Sequence, residues 1–492
     1  MGSSVHNLIV PIGSSVHNLW TARRAPWVSL AAALLGAGCG SSPPALQVSS
    51  ASLGTPPPSV SSTPAPPTAT PSAAPAAWLT YHGDLARSGD DPSSPPVSAP
   101  ALGWRSPTLD GPIWAEPLVD GGRVLVATEG GSIYALDAVT GAVIWRAHVD
   151  DPISRSQLPC GDISPLGITG TPVIDPATQT LYAAAERSDG SHELVALSVA
   201  SGAVLWRRVI DAPGTVPRDQ QQRAALAVAG GRVLVGLGGL DGDCGTYHGY
   251  VASVGESGVG PVDYYVVPVI NGAGIWAPSG PAVSASGEVY VADGNSEEAA
   301  AATVSFDHSD SVIALTPEMA EQGYFAPTDW RHLSEADLDL GSTGPVLDGD
   351  GILIAGKDGI LYLLGAAALG GIGGQLASLG LGSGAFGGLA LDGQTVLVPT
   401  TGQLDAVSVD VPGRSLKLIW SRAPTWPPIV AGGEIWAVTQ GGADLVALSP
   451  ADGSQRFSLP LGSVEHFTTP AAAAGWVYVG SGGDQVVAVK GV

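Results

Sequence analysis

The sequence predicts an all-β fold, an eight-bladed β-propeller of four-stranded antiparallel blades, with seven blades as the alternative. Three observations lead there. The segment IYALDAVTGAVIW (133–145) returns as LVALSVASGAVLW (194–206) and, more loosely, as LVALSPADGSQRF (445–457). A segment that returns in register over tens of residues marks a repeat architecture. Gly (68) and Pro (41) are abundant while charged residues are only 13%, as many short strands joined by tight turns require. Helical periodicity is scarce, with one ambiguous Ala/Leu/Gly stretch at 364–380.

Each unit has a consistent order. It opens with a Pro-led strand: EPLV (116–119), TPVI (171–174), GPAV (280–283), GPVL (344–347), PPIV (427–430) and TPAA (469–472). Proline at the first residue of a strand forfeits no ladder hydrogen bond. A Gly or Asp turn leads to a second strand that occurs about eight times, from RVLVATEGG (123) to WVYVGSGG (476). The third is the ALD-like piece, as at 133–137, 194–198 and 445–449. A turn ending in Gly141, Gly202 or Gly453 then requires positive φ, which glycine adopts without strain. The fourth strand closes on Trp145, Trp206 or Trp420, whose large apolar area is expected between neighbouring blades. The last unit stops after its third strand near Val489, so the segment near Leu102–Ser106 is expected to complete the last blade. Radial closure leaves only short, protected strand edges.

The residues before the propeller divide in two. Arg23 and Arg24, a short apolar run from Trp27 and the small residues Gly36-Ala37-Gly38 describe a secretory signal over 1–38. Cys39 directly after them resembles a bacterial lipoprotein box, which implies lipidation there and anchorage on the outer side of a bacterial membrane or in the periplasm. Residues 39–77 are rich in Ser, Pro, Ala and Thr, a composition that cannot bury a core and behaves as an extended spacer. The propeller is expected over 78–492. In an exported chain the two remaining cysteines, Cys160 and Cys244, form a candidate disulfide, the alternative being two isolated thiols. The net charge of −24 excludes nucleic acid as a partner, since that needs a basic face.

The A-L-D-x-x-T-G-x-x-x-W unit resembles the pyrroloquinoline quinone (PQQ) repeat from Trp104 onward, and WLTYHGDLARSG (78–89) is similar to the lead-in of such proteins. The resemblance implies a propeller but not a cofactor. The family holds quinone-dependent dehydrogenases, and also the lipoprotein of the outer-membrane protein assembly machinery, a scaffold.

Enzyme members of that family imply PQQ and Ca²⁺ at the propeller axis, with a catalytic carboxylate, a cation near the quinone and flat walls. Several residues are similar. Asn295, after Gly294, sits like the family's amide metal ligand. Asp337 and Asp339, in DLDLG, resemble the loop of the catalytic carboxylate. Lys357 matches the cation, and Trp276 is a candidate wall. The departures are as plain. No two cysteines are adjacent, so the ring-stacking disulfide of the enzymes is absent, and no glutamate ligand can be placed. The histidines show no metal-ligand spacing. Gly-Asn and Asp-Gly are also ordinary turn residues. Long insertions, 147–167, 211–223 and 236–250, supply a further candidate recognition surface.

The leading expectation is therefore a membrane-tethered, extracytoplasmic propeller acting as a binding or assembly scaffold. Its partner is an unknown protein or a small ligand at the propeller face. The alternative is a PQQ- and calcium-dependent alcohol or sugar dehydrogenase. Convergence of Asn295, Asp337 or Asp339, Lys357 and Trp276 on one axial pocket raises the second reading; their dispersal into turns lowers it.

Overall fold

Each sequence unit folds as four antiparallel strands, and eight such sheets are present. The structure, a computed structural model, describes residues 77–297, 299 and 305–491. The expected signal at 1–38, Cys39 and all but the last residue of the 39–77 spacer lie outside the described residues. Among the described residues no helix is long and apolar enough to cross a membrane.

Blade 1 shows the common pattern. Its strands are Leu118–Asp120, Arg123–Thr128, Ser132–Asp137 and Val143–His148. The first three are almost fully buried, while the outer strand alternates towards solvent. The repeat motif explains the last turn. The Asp137 carboxylate accepts from the backbone N–H groups of Val139 and Thr140, at 3.1 and 2.8 Å, and Gly141 follows at φ +71°.

That glycine also makes room for the preceding blade. A Cβ on Gly141 would sit 2.4 Å from the Trp104 ring, and one on Gly202 would sit 2.6 Å from the Trp145 ring. The indole N–H groups then donate across the blade boundary, Trp104 to the Ala138 carbonyl and Trp145 to that of Val199, both at 3.1 Å. Trp206 and Trp420 repeat the arrangement onto Glu256 and Pro450, both at 3.0 Å. The tryptophans are thus inter-blade wedges. Apolar layers between successive blades form most of the core, as where Tyr182 and Leu194 of blade 2 cluster with Leu226, Val235 and Tyr250 at blade 3.

The ring closes as the sequence predicts. Ala101–Arg105 pairs antiparallel with Gln485–Lys490, and becomes the outer strand of blade 8. The ambiguous 364–380 stretch is not helical: Ala377–Gly380 forms the outer strand of blade 5, and Gly371–Ile372 runs along the edge of blade 4.

The segment before that closing strand does something the sequence did not reveal. From Trp78 to Asp91 it passes the innermost strands in turn. Trp78 bridges Val119 of blade 1, and the Leu79 carbonyl accepts from Ile174 of blade 2. The Leu85, Ala86, Ser88 and Gly89 carbonyls accept from Val283, Leu347, Leu391 and Val430 of blades 4 to 7. Asp90–Asp91 then pairs in parallel with Ile429–Ala431 of blade 7. The segment thus runs along the inner strands of six blades, for the most part at their middle residues. Arg87, fully buried, is its hub. Its guanidinium donates to the Pro281, Tyr81 and Leu226 carbonyls and to the Thr80 hydroxyl, at 2.9, 3.1, 3.0 and 2.6 Å.

Candidate functional site

The loops that lead into the inner strands surround a cavity of about 200 Å³. Trp276, Asn295, Asp339 and Lys357 all line it, so four of the five residues expected at the axis converge there.

Local structure places them. The helix Trp330–Ala336 ends with Asp337 in the left-handed conformation, φ 54°. That turns the chain so that Asp339 points inward, 5% exposed, and Asp337 stays outside at 65%. Lys357 follows the second strand of blade 5, Gly351–Ala355. Its ammonium lies 2.7 Å from Asp337 and 2.8 Å from Asp339. It also sits 5.6 Å from the centre of the Trp276 ring, within cation–π range. Burial works against the lysine charge. The Asp339 and Asp337 carboxylates outweigh it and hold the ammonium above its ordinary value. Asp339 in turn accepts from the backbone N–H of Asn295 at 2.9 Å. Asp337 is therefore a clamp on Lys357 and not a lining residue.

The rest of the wall was missed by sequence reasoning. Phe386, Phe467, Arg223 and Tyr247 line the same cavity, with His466 and Asp243. The Tyr247 hydroxyl donates to Asp243 at 2.7 Å. A signal existed in the repeat register. Phe386, Phe467 and Arg223 each stand four residues before the first residue of an inner strand, Ala390, Ala471 and Ala227. Trp114 holds the same position before Leu118 of blade 1 and lines a small cavity next to the first. Position four before the inner strand faces the axis in these blades.

Arg223 is flanked by aromatic rings. Its guanidinium carbon is 4.8 Å from the Phe467 ring centre and 5.4 Å from that of Trp114. Burial lowers it to about 10, offset in part by Asp162, Asp241 and Glu129, so it is a cation at neutral pH. The His466 ring packs edge-on against Trp114 at 4.5 Å. Burial and the Arg223 charge lower His466 to about 4, which keeps it neutral.

Cys160 and Cys244 are free cysteines in the structure, so the expected bond is not drawn. They are nevertheless side by side. A Cβ on Gly242 would lie 3.5 Å from the Cys160 sulfur and 4.0 Å from that of Cys244. Burial, and then the hydrogen bond with Cys244, raise the Cys160 thiol to about 11. The 147–167 insertion carries Cys160 and packs Ile153, Leu158, Ile163 and Leu166 against Leu240 beside the cavity.

A quinone fits this wall in part: Trp276 offers a flat face and Lys357 a cation beside it. A resident calcium ion does not fit. Ca²⁺ takes six to eight oxygen ligands. Both oxygens of Asp339 are engaged, one by Asn295 N–H and one by Lys357. Among the described residues no three His, Cys, Asp or Glu side chains gather to hold a metal.

The family model described as outer membrane protein assembly factor BamB matches residues 99–242 and 407–491. Solved structures share the fold. The quinohemoprotein alcohol dehydrogenase ADHIIG of Pseudomonas putida HK5 superposes with a TM-score of 0.68 at 14% identity, covering 84% of this chain and 80% of that one. A europium-containing methanol dehydrogenase gives 0.66 at 15%, covering 85% and 98%. BamB from Moraxella catarrhalis gives 0.55 at 14%, covering 80% and 100%. No curated protein matches the sequence. The chain is an eight-bladed β-propeller whose first and last blades match that family model. It shares that fold with BamB and with quinoprotein dehydrogenases.

Proposed function

We propose that the chain is an exported, lipid-tethered propeller that acts as a binding scaffold and takes a small organic ligand in its axial cavity. The observation that carries this is the convergence of Trp276, Asn295, Asp339 and Lys357 with Phe386 and Phe467 on one cavity. Flat apolar walls with a few fixed polar groups are what ligand pockets share. Cys39 is the proposed lipid attachment point, and the spacer after it holds the propeller away from the membrane. Oxidation of Cys160 and Cys244 to a disulfide on export belongs to the same proposal, as does a protein partner on the propeller face, in keeping with the fold shared with BamB.

The second reading, a PQQ-dependent alcohol or sugar dehydrogenase, is favoured by Trp276 and Lys357 and opposed by the calcium donor set. Calorimetry with PQQ, with and without Ca²⁺, and dye reduction with a panel of alcohols and sugars separate the two. The binding reading expects calcium to leave any PQQ affinity unchanged, and no dye reduction. Calcium-dependent binding with substrate-dependent dye reduction establishes the enzyme instead.

A further inference from the structure

The two cations of the axial cavity are in opposite situations. Lys357 is neutralised by two carboxylates. Arg223 has no hydrogen-bond or ion-pair partner among the described residues, and its terminal nitrogen Nη2 is sealed from solvent. A guanidinium carries five N–H donors in a rigid fork. Arg223 is half-buried, and leaving its sealed Nη2 donors unpaired is costly, the more so for a charged group. The two flanking rings, Phe467 and Trp114, fix its position without using any of those donors.

We infer that Arg223 is the anchor for a carboxylate on the ligand of the axial cavity, so that the ligand class is a flat, apolar monoacid. This rests on the reading of that cavity as a ligand site. The chemistry narrows the anion. A planar fork matches a carboxylate with two parallel hydrogen bonds. Asp162 and Asp241 already act on Arg223 from farther away and disfavour a second negative charge beside it. A dianionic phosphate is therefore a poorer match than a monoacid. Phe386, Phe467 and Trp276 supply walls for an aromatic or conjugated body.

The test is a fluorescence titration of the purified full chain with 2-naphthoate, its neutral analogue 2-naphthalenemethanol and inorganic phosphate, with melting temperatures for each protein. The wild type should bind naphthoate at least tenfold more tightly than the neutral alcohol. Arg223→Met should lose that preference, and Arg223→Lys should keep part of it. The ligand-free Arg223→Met protein should melt no lower than wild type, because an unpaired buried charge has been removed. A melting temperature well below wild type makes Arg223 a structural residue and overturns the inference. Equal binding of naphthoate and the alcohol, unchanged in Arg223→Met, overturns the inference while the cavity remains a ligand site. Phosphate binding that exceeds naphthoate and depends on Arg223 overturns the carboxylate assignment. Failure of both naphthyl probes to bind contradicts the inference and the cavity reading together.

Discussion

Replacing Arg87 with methionine is expected to destabilise the propeller by about 3–6 kcal/mol, enough to leave much of the chain unfolded at ambient temperature. The size follows from what the guanidinium holds. Its four hydrogen bonds end on the Pro281, Tyr81 and Leu226 carbonyls and the Thr80 hydroxyl, all inside the molecule. Methionine fills a similar volume but donates nothing, so the Pro281 and Tyr81 carbonyls are orphaned at about 1–3 kcal/mol each, while the Leu226 carbonyl loses one of two donors and keeps the Thr80 hydroxyl. Leu226 and Pro281 stand directly before the inner strands of blades 3 and 4, so the loss is felt across a blade boundary. Arg87 has φ +65° in either protein, which removes backbone strain from the comparison. Urea unfolding followed by circular dichroism measures the change. Arg87→Lys keeps the charge without the fork and should recover only part of it. A midpoint for Arg87→Met within experimental error of wild type would show that the lead-in segment does not brace the ring.

The second large effect is a pH dependence. Glu129, after the second strand of blade 1, is buried. One oxygen accepts from the Gly167 N–H at 2.6 Å, and the other has no partner. Burial foremost, with repulsion from Glu186, raises its carboxyl to about 8, against an ordinary 4.5. Below pH 4.5 the group is protonated whether the chain is folded or not, and the stabilisation from its raised affinity for the proton is fully present. Between 4.5 and 8 the unfolded chain gives up the proton while the folded one keeps it, so stability falls as pH rises. Above 8 the loss is complete. A shift of that size corresponds to about 3–5 kcal/mol. Glu129→Gln cannot ionise, and its amide oxygen still accepts from Gly167. It should match wild type near pH 4.5 and exceed it by that amount at pH 8.5, as read from urea midpoints at the two values. A difference between the two proteins that does not change with pH would show that Glu129 is ionised throughout.

Much of the fold was legible because the repeat states its own constraints. The Gly-ended turn, the tryptophan ten positions after Ala135 and Ala196 and the Pro-led inner strand recur in one-dimensional register, and each has a local cause. The closing strand was legible from a deficit, since a unit that ends after three strands needs a fourth from elsewhere. The lead-in circle was not legible. Its backbone contacts are a few hydrogen bonds to six of the blades, and backbone carbonyls leave no mark in a residue pattern. The 364–380 stretch misled for a related reason, because glycines and alanines carry neither a helical nor an alternating apolar signal.

The site divides in the same way. Trp276, Asn295, Asp339 and Lys357 were found because a family pattern names their types. Asp337 was expected beside Asp339, but the helix end at Ala336 rotates it outward. Arg223, Phe386 and Phe467 belong to irregular loops, where no periodicity operates. Only alignment of the blades on their inner strands shows that they occupy one position, and residue type changes there from blade to blade. Asp241 and Asp243 flank a glycine in an Asp-Gly turn pattern; Asp243 has φ 49°, and both also line the cavity.

The central claim is that recognition happens at the axis and not on the outer strands, which also expose apolar side chains such as Ile144 (48%) and Leu205 (55%). Hydrogen–deuterium exchange of the purified full chain, with the low-molecular-weight and the macromolecular fractions of a bacterial envelope extract added separately, tests it most directly. The account predicts that the low-molecular-weight fraction slows exchange in the axial loops, at 239–247, 384–388 and 465–468, and leaves Val143–His148 and Val204–Val209 unchanged. Slowed exchange confined to those two outer strands, and produced only by the macromolecular fraction, would contradict it.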